Sequence, residues 1–319
     1  MENSLKAYSS AIALRTLLIK ALMFRTNLKE FFDWSGGWKT PIYTDQRLHL
    51  GYPESVELIL NVLKFKVDNL VIKPEGILGT KVSGIPWAVL LADALKVPVI
   101  VIIGTKAFTF DYPKEIPTDE NYDLIASSSP FGIPLGIRTA YVRKKGFIYV
   151  RNSKKQHGIG SKVVGAFTAG QSVCYFNQEA YGEMPALDMM SLVESGLCVI
   201  HGNDENYTTR QIDISRMNIL GIEDTISSGK SSLTQIHEAR ALGAEISDLI
   251  SLFSYEFFSA EQLLKNANIK SHDLYSYSDL MNNAREQGYI NQSDFEIVRD
   301  WYHNPIAWSN KYGETNFEW

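Results

Sequence analysis

The sequence predicts an α/β protein: a parallel sheet with helices packed on both faces. Three observations carry this. Short β-branched runs alternate with stretches of helical spacing through the middle of the chain, which is the pattern of strand, crossover helix and parallel strand. Part of that pattern occurs twice. One hydrophobic strand also runs into two acids, then a loop of small hydroxyl residues, then a helix. With 319 residues, 45% hydrophobic and 21% charged, the chain can build one large or two ordinary cores, which excludes disorder, collagen and a coiled-coil rod.

In order, Ala11 to Phe24 reads as an N-terminal amphipathic helix, because Arg15 and Lys20 interrupt its apolar run and rule out a membrane span. Phe31 to Arg47 holds too many aromatic and turn-forming residues for a helix. Tyr52 to Lys64 places Val56, Leu58, Ile59, Val62 and Leu63 at helical spacing. The expected strands are Gly76 to Gly79, Val99 to Ile103, Leu124 to Ala126, Phe147 to Val150, Val173 to Phe176, Cys198 to Ile200, Ile219 to Ile222 and Ile246 to Phe253. Helices are expected at Ala88 to Leu95, Ala186 to Glu194 and Leu233 to Leu242.

The repeat is specific. Gly84-Ile85-Pro86 returns as Gly132-Ile133-Pro134, a shift of 132 − 84 = 48, and Val101 and Tyr149 each lie 17 residues further on. A weaker echo relates residues 173–200 to residues 219–252 at a shift of about 46. Two similar offsets in the same order suggest a duplicated half-module.

The charge balance, 31 − 36 = −5 with no sign-segregated tail, argues against nucleic acid as a partner. Two cysteines, Cys174 and Cys198, are expected as buried free thiols, and the six histidines show no zinc spacing. With no secretory signal read at the N-terminus, the expected location is the cytoplasm, with no membrane partner.

The sharpest local signal is Ile219-Leu220-Gly221-Ile222-Glu223-Asp224-Thr225-Ile226-Ser227-Ser228-Gly229-Lys230-Ser231-Ser232. Loop amides and a helix N-terminus suit a phosphate, the hydroxyls add donors, and Lys230 adds charge. Glu223 and Asp224 stand where they can accept hydrogen bonds from a sugar diol. A serine-capped turn with no ligand is the plainer reading of the same residues.

This stretch resembles the phosphoribosyl pyrophosphate (PRPP) motif of the type I phosphoribosyltransferases, and other segments narrow the resemblance to orotate phosphoribosyltransferases. They are Phe32-Asp33-Trp34-Ser35-Gly36-Gly37-Trp38-Lys39-Thr40-Pro41-Ile42-Tyr43-Thr44-Asp45-Gln46-Arg47 with Tyr52-Pro53, Leu252-Phe253-Ser254-Tyr255, and Trp301-Tyr302-His303-Asn304-Pro305-Ile306-Ala307-Trp308. Tyr149-Val150-Arg151-Asn152-Ser153-Lys154-Lys155-Gln156-His157-Gly158-Ile159-Gly160 resembles the family's catalytic loop, although Asn152 stands where the family has lysine.

The resemblance implies a parallel sheet flanked by helices plus a small hood, and transfer of ribose 5-phosphate from PRPP to orotate. It implies Mg²⁺ carried mainly by PRPP, with no direct protein ligand beyond Asp224 through water. Thr225, Ile226, Ser227, Ser228, Gly229, Lys230 and Ser231 would grip the 5′-phosphate, with Glu223 and Asp224 on the ribose. Thr80, Lys81, Val82, Ser83 and Gly84 would form the pyrophosphate loop, with Ala126 to Gly132 a looser second copy. Arg151, Lys155 and His157 would serve the leaving group, and Lys39, Tyr43, Ser227 and Tyr255 would meet orotate.

About twenty residues beyond His157, where a second PRPP motif would fall, stands Asn177-Gln178-Glu179-Ala180-Tyr181-Gly182-Glu183-Met184-Pro185, in which the acid pair is replaced by amides. The expected organisation is therefore an enzyme body at 1–105 and 205–319, with a degenerate phosphoribosyltransferase-like core inserted at 106–204. That core would carry the basic loop to the intact site and act as an internal dimer partner; whether whole chains also pair stays open. A non-catalytic PRPP-binding relative, or a transferase for another base, are the competing readings.

Overall fold

The computed structural model describes residues 22–24, 31–33, 39–111, 122–130, 132–151, 162–176, 184–201 and 208–312. At the start of the chain, β1 (Leu22–Phe24) pairs antiparallel with β4 (Ile42–Thr44), and β2 (Phe32–Asp33) with β3 (Lys39–Thr40). The end of the predicted N-terminal helix is thus a strand, its backbone taken up by β4; Ala11 to Ala21 lie outside the described residues. A 3-10 turn, Gln46–Gly51, leads into α1 (Pro53–Asp68). Proline at the first position of α1 suits it, because that N–H has no partner inside a helix.

Next come β5 (Gly76–Gly79), α2 (Lys81–Leu95), β6 (Val99–Ile103) and β7 (Lys106–Asp111). Every residue of β5 is buried, as expected of a parallel strand covered on both faces. The chain then builds β8 (Leu124–Ser128), α3 (Ile133–Arg143), β9 (Gly146–Val150), β10 (Val163–Val164), β11 (Ser172–Phe176), α4 (Met184–Glu194) and β12 (Cys198–His201). It returns through β13 (Thr208–Gln211) to β14 (Ile219–Ile226), α5 (Lys230–Ala241), β15 (Asp248–Ser254), α6 (Phe258–Asn266), β16 (Lys270–Ser276), α7 (Tyr277–Glu286), α8 (Gln292–His303) and α9 (Pro305–Tyr312).

These strands form a seven-stranded main sheet, β13-β7-β6-β5-β14-β15-β16, parallel from β6 to β16, and a five-stranded second sheet, β10-β9-β8-β11-β12, parallel except at β10. Strand order and direction in the second sheet match β7-β6-β5-β14-β15 of the first. Ile77 faces Val99, and Ile125 faces Phe147, each shifted by 48. The helices that follow end alike, on left-handed lysines at Lys96 (φ 61°) and Lys144 (φ 53°), again 48 apart.

The chain leaves the main sheet at Asp111 and re-enters opposite it at Thr208. Lys106 to Asp111, expected inside the insert, is therefore an antiparallel strand of the main sheet. The seam between the sheets is a packed core. Alternation along β8 and β9 sends Ile125, Phe147 and Tyr149 toward the main body, and Leu124, Ala126, Ile148 and Val150 into a separate apolar cluster with Leu192. Helices α2 and α3 pack face to face, with an Arg138–Asp93 ion pair of 3.5 Å. Cys174 is buried as expected, but Cys198 is exposed on the edge strand β12.

Two boundaries differ from expectation for physical reasons. α2 starts at Lys81 rather than Ala88, although Gly84 and Pro86 read as loop residues. A Cβ at Gly84 would lie 2.3 Å from the Ile222 carbonyl oxygen, so glycine is what lets the helix rest on β14. β14 continues through both acids to Ile226, because β15 keeps pairing alongside it as far as Ser254. Replacing Gly84 with alanine should force α2 off β14 and lower unfolding stability by about 1–3 kcal/mol in urea titration.

Candidate active site

The C-terminal ends of β5 and β14 meet where an open parallel sheet offers a ligand crevice. Thr80, fully buried at the end of β5, donates both its N–H and its hydroxyl to the Ile222 carbonyl, each at 2.9 Å. This ties the Thr80–Gly84 loop to β14. Lys81 follows with φ 53°, a left-handed conformation uncommon for lysine, and its side chain is exposed.

Glu223 is 2% exposed, with its carboxyl held on several sides. It accepts from the Ser232 hydroxyl at 2.9 Å, the Ser83 hydroxyl at 3.4 Å and the Asp224 N–H at 3.1 Å. Burial, then the neighbouring Asp224, pushes the Glu223 carboxyl well above the usual carboxylate range. Asp224, Thr225, Ser227 and Ser228 are half-buried at the mouth. Gly229, at φ 72°, turns the loop into α5, so the amides at the helix start and the exposed Lys230 face one end of the crevice.

On the opposite wall stands a buried ion pair from the 3-10 turn. Arg47 donates through Nε and Nη2 to both oxygens of Asp45, the second at 2.6 Å, and its Nη2 also reaches the Tyr43 hydroxyl at 3.4 Å. Burial, tempered by Arg47, leaves Tyr43 pushed up to about 12. Tyr43 and Tyr149 both lie near enough to Asp224 to feel its charge, which brings this turn and β9 close to the acids.

The residues expected from sequence divide accordingly. Glu223, Asp224, Thr225, Ile226, Ser227, Ser228, Gly229, Lys230 and Ser231 form one continuous strand, loop and helix start. Thr80, Lys81, Val82, Ser83 and Gly84 lie against it, and Ser83 touches Glu223. Lys39 sits on β3, where its ammonium pairs with Asp33 and its N–H donates to Ser309 at 2.8 Å. Tyr255 is buried among Phe253, Phe257, Tyr277 and Trp301, and its hydroxyl meets Thr44 Oγ1 at 3.2 Å. Its ring props β4 rather than lining the crevice. Arg151 follows β9 directly and donates its N–H to the Lys162 carbonyl at 3.0 Å; Lys155 and His157 lie outside the described residues.

Asp45, Arg47 and Ser232 receive no role from the sequence. Asp45 and Arg47 close the orotate-like segment without a role of their own, and their burial, at 5% and 7% exposure, is what marks them. Among the described residues, no cluster of three or more His, Cys, Asp or Glu is placed to hold a metal, and no helix is long and apolar enough to cross a membrane.

This combination of sheet, acid-bearing strand and glycine-led helix is the type I phosphoribosyltransferase fold. No protein-family model matches the chain. Its curated homologues are orotate phosphoribosyltransferases: that of Cytophaga hutchinsonii is 26% identical over 301 residues, covering 94% of this chain and 98% of the relative. That of Lactococcus lactis subsp. lactis is 25% identical, covering 95% and 99%, and that of Listeria monocytogenes is 24% identical, covering 93% and 96%. Among solved structures, UMP synthase of Leishmania donovani superposes with a TM-score of 0.50 at 14% identity, over 92% of this chain and 42% of that one.

The raised Glu223 pKa has a sign that can be measured. A carboxyl that holds its proton in the folded state contributes fully below its unfolded pKa of about 4.3, and that contribution is lost as pH rises through the folded pKa. Glu223→Gln keeps the neutral form at every pH. Urea titrations at stepped pH should therefore show wild type losing stability relative to the glutamine variant as pH rises, with the gap levelling once Glu223 ionises in the folded protein.

Proposed function

We propose that the chain is an orotate phosphoribosyltransferase, which breaks the bond between C1 of PRPP and its diphosphate and joins C1 to N1 of orotate. Orotidine 5′-monophosphate and pyrophosphate leave, and the N1 proton goes to solvent. What carries this reading is the acid pair at the end of β14, running into a glycine-led helix start with the Thr80–Gly84 loop alongside, in a chain whose homologues over nearly its full length carry that name.

The transition state is oxocarbenium-like, so the protein contributes positioning and electrostatics rather than a covalent intermediate. Asp224, half-buried, holds the ribose hydroxyls, and the hydroxyls of Ser232 and Ser83, donating to Glu223, keep that carboxyl in place beside it. The amides and hydroxyls from Thr225 to Ser231 take the 5′-phosphate. Thr80 to Gly84 take the diphosphate, whose Mg²⁺ would neutralise charge, with the half-buried Asp224 meeting that cation through water. Arg151, Lys155 and His157 meet the departing pyrophosphate, with Lys154 near the position vacated at Asn152.

Lys39 and Tyr43 serve orotate. The Lys39–Asp33 pair is partly exposed, with Lys39 33% and Asp33 53% open, and such pairs contribute at most about 1 kcal/mol, so a substrate carboxylate can displace the aspartate. A steady-state assay of orotate disappearance with PRPP and Mg²⁺ tests the reading. Asp224→Asn should cut kcat by about 10²–10³-fold with an unchanged thermal midpoint, the loss typical of one electrostatic contact made to the transition state. Lys155→Ala should lower kcat while leaving the KM for orotate in place. PRPP binding without turnover in the wild-type chain would overturn the proposal, and turnover with adenine instead of orotate would redirect it.

A further inference from the structure

We propose that Tyr149, a residue of the second sheet, is a substrate-contacting residue of the site built by the first: its hydroxyl donates to the diphosphate of the phosphoribosyl donor, so that a single chain holds a whole site. The inference rests on the transferase reading above and adds to it a residue and its place of origin.

Position is the first support. β9 packs directly against the Gln46–Gly51 turn that carries the Asp45–Arg47 pair. The approach is close enough that a Cβ at Gly146 would lie 2.5 Å from the Gly51 carbonyl oxygen, and one at Gly51 would lie 2.3 Å from that of Ala166. Both contacts join the first sheet's body to the second sheet's unit, so β9 is held at the crevice wall by backbone. Arg47, Asp224, Asp45 and Tyr43 are all electrostatic neighbours of the Tyr149 hydroxyl, with Arg47 foremost.

The state of the hydroxyl is the second. Tyr149 is fully buried, yet its oxygen has no hydrogen-bond partner among the described residues. A buried polar group left unpaired is costly, and the retained ones call for an explanation. Had the ring served packing alone, against Phe147 at 6.2 Å, phenylalanine would fill the place without that cost. The equivalent position of the first sheet, 149 − 48 = 101, is Val101, so the hydroxyl belongs to the second unit alone. Burial pushes the phenol up, keeping it a donor, and with the Arg47 guanidinium the foremost charge acting on it, an anionic oxygen beside that cation is the acceptor that fits.

Architecture is the third. In the first unit β6 and β7 are joined by the tight turn Gly104–Thr105, whereas the corresponding β9 and β10 are joined through residues 151–162, which include Arg151, Lys154, Lys155 and His157. The unit with the acids lacks a long loop at this point, and the unit with the long basic loop lacks the acid pair.

Tyr149→Phe separates this role from a structural one. Removing an unpaired buried hydroxyl should leave the thermal midpoint unchanged or higher. Binding of pyrophosphate with Mg²⁺, read by titration calorimetry on the full chain, should weaken about tenfold, as for loss of a hydrogen bond to a charged group. In turnover, kcat/KM for PRPP should fall by a similar factor with the KM for orotate unchanged. Undiminished pyrophosphate binding, or a midpoint that falls together with activity, overturns the proposal.

Mixing Tyr149→Phe with Asp224→Asn chains tests where the residues meet. Within one chain, the mixture shows the average of the two variants; activity above that average means sites shared between chains and overturns the single-chain claim. Wild-type protein that binds pyrophosphate more tightly than Tyr149→Phe but does not consume orotate would uphold this contact and sink the orotate reading instead.

Discussion

The Thr80–Ile222 contact fixes the geometry on which the crevice depends. A carbonyl of the central strand receives both the N–H and the hydroxyl of the residue that begins the neighbouring loop. That double donation holds the loop one backbone's width from the acid-bearing strand. Gly84 makes the arrangement sterically feasible, because any side chain there would strike the same carbonyl. Ser83 is then delivered to Glu223, and Ser232 closes on it from the helix that follows the hydroxyl-rich loop. Loop, strand and helix are therefore linked through one buried carboxyl. Its withdrawal from water, with Asp224 beside it, pushes its pKa up and so favours the protonated form, which can bridge neighbours where an anion beside Asp224 would repel.

A second carboxyl, Asp45, is stabilised in the opposite way. It lies nearly as deep as Glu223 but faces a guanidinium that bonds both of its oxygens. Two buried acids thus reach low-dielectric surroundings by different routes, one with its pKa raised and serine hydroxyls donating to it, the other paired with a guanidinium. Asp224, next to Glu223 on the strand, is half-open to solvent. That contrast is what makes one member of the acid pair structural and the other accessible to a ligand.

Much of this was legible in sequence. Most of the parallel strands were visible because fully buried strands read as unbroken β-branched runs, as in Val99–Ile103, whereas the edge strands β7, β10, β13 and β16 and the helix Ile133–Arg143 were not; the 48-residue offset recurs in the pairing of Ile77 with Val99 and Ile125 with Phe147. The acid pair and hydroxyl loop were legible because their chemistry is contiguous in the chain. What the sequence hides depends on tertiary contact. The start of α2 was hidden because Gly84 and Pro86 signal a loop locally, and only β14 explains the glycine. Leu22–Phe24 is apolar enough for a helix and becomes a strand only because β4 is there to pair with it. Tyr255 read as a base contact, yet four aromatic neighbours claim its ring. Asp45 and Arg47 carry no local sign of burial at all.

The pairing of Asp111 with Thr208 bears on how the chain is made. Strands β5, β6 and β7 leave the ribosome before the second unit, but β14, which fills the place beside β5, follows it. Until β14 arrives, one edge of the central strand stands open, a surface prone to wrong pairing. The second sheet is contiguous in sequence and can close first, carrying α3 onto α2 and bringing its two chain ends together. By delivering β13 to β7 it shortens the effective loop that β14 must close. The residues that build the second sheet therefore stand between β7 and the strand that completes the first, which cannot be finished until they have been made.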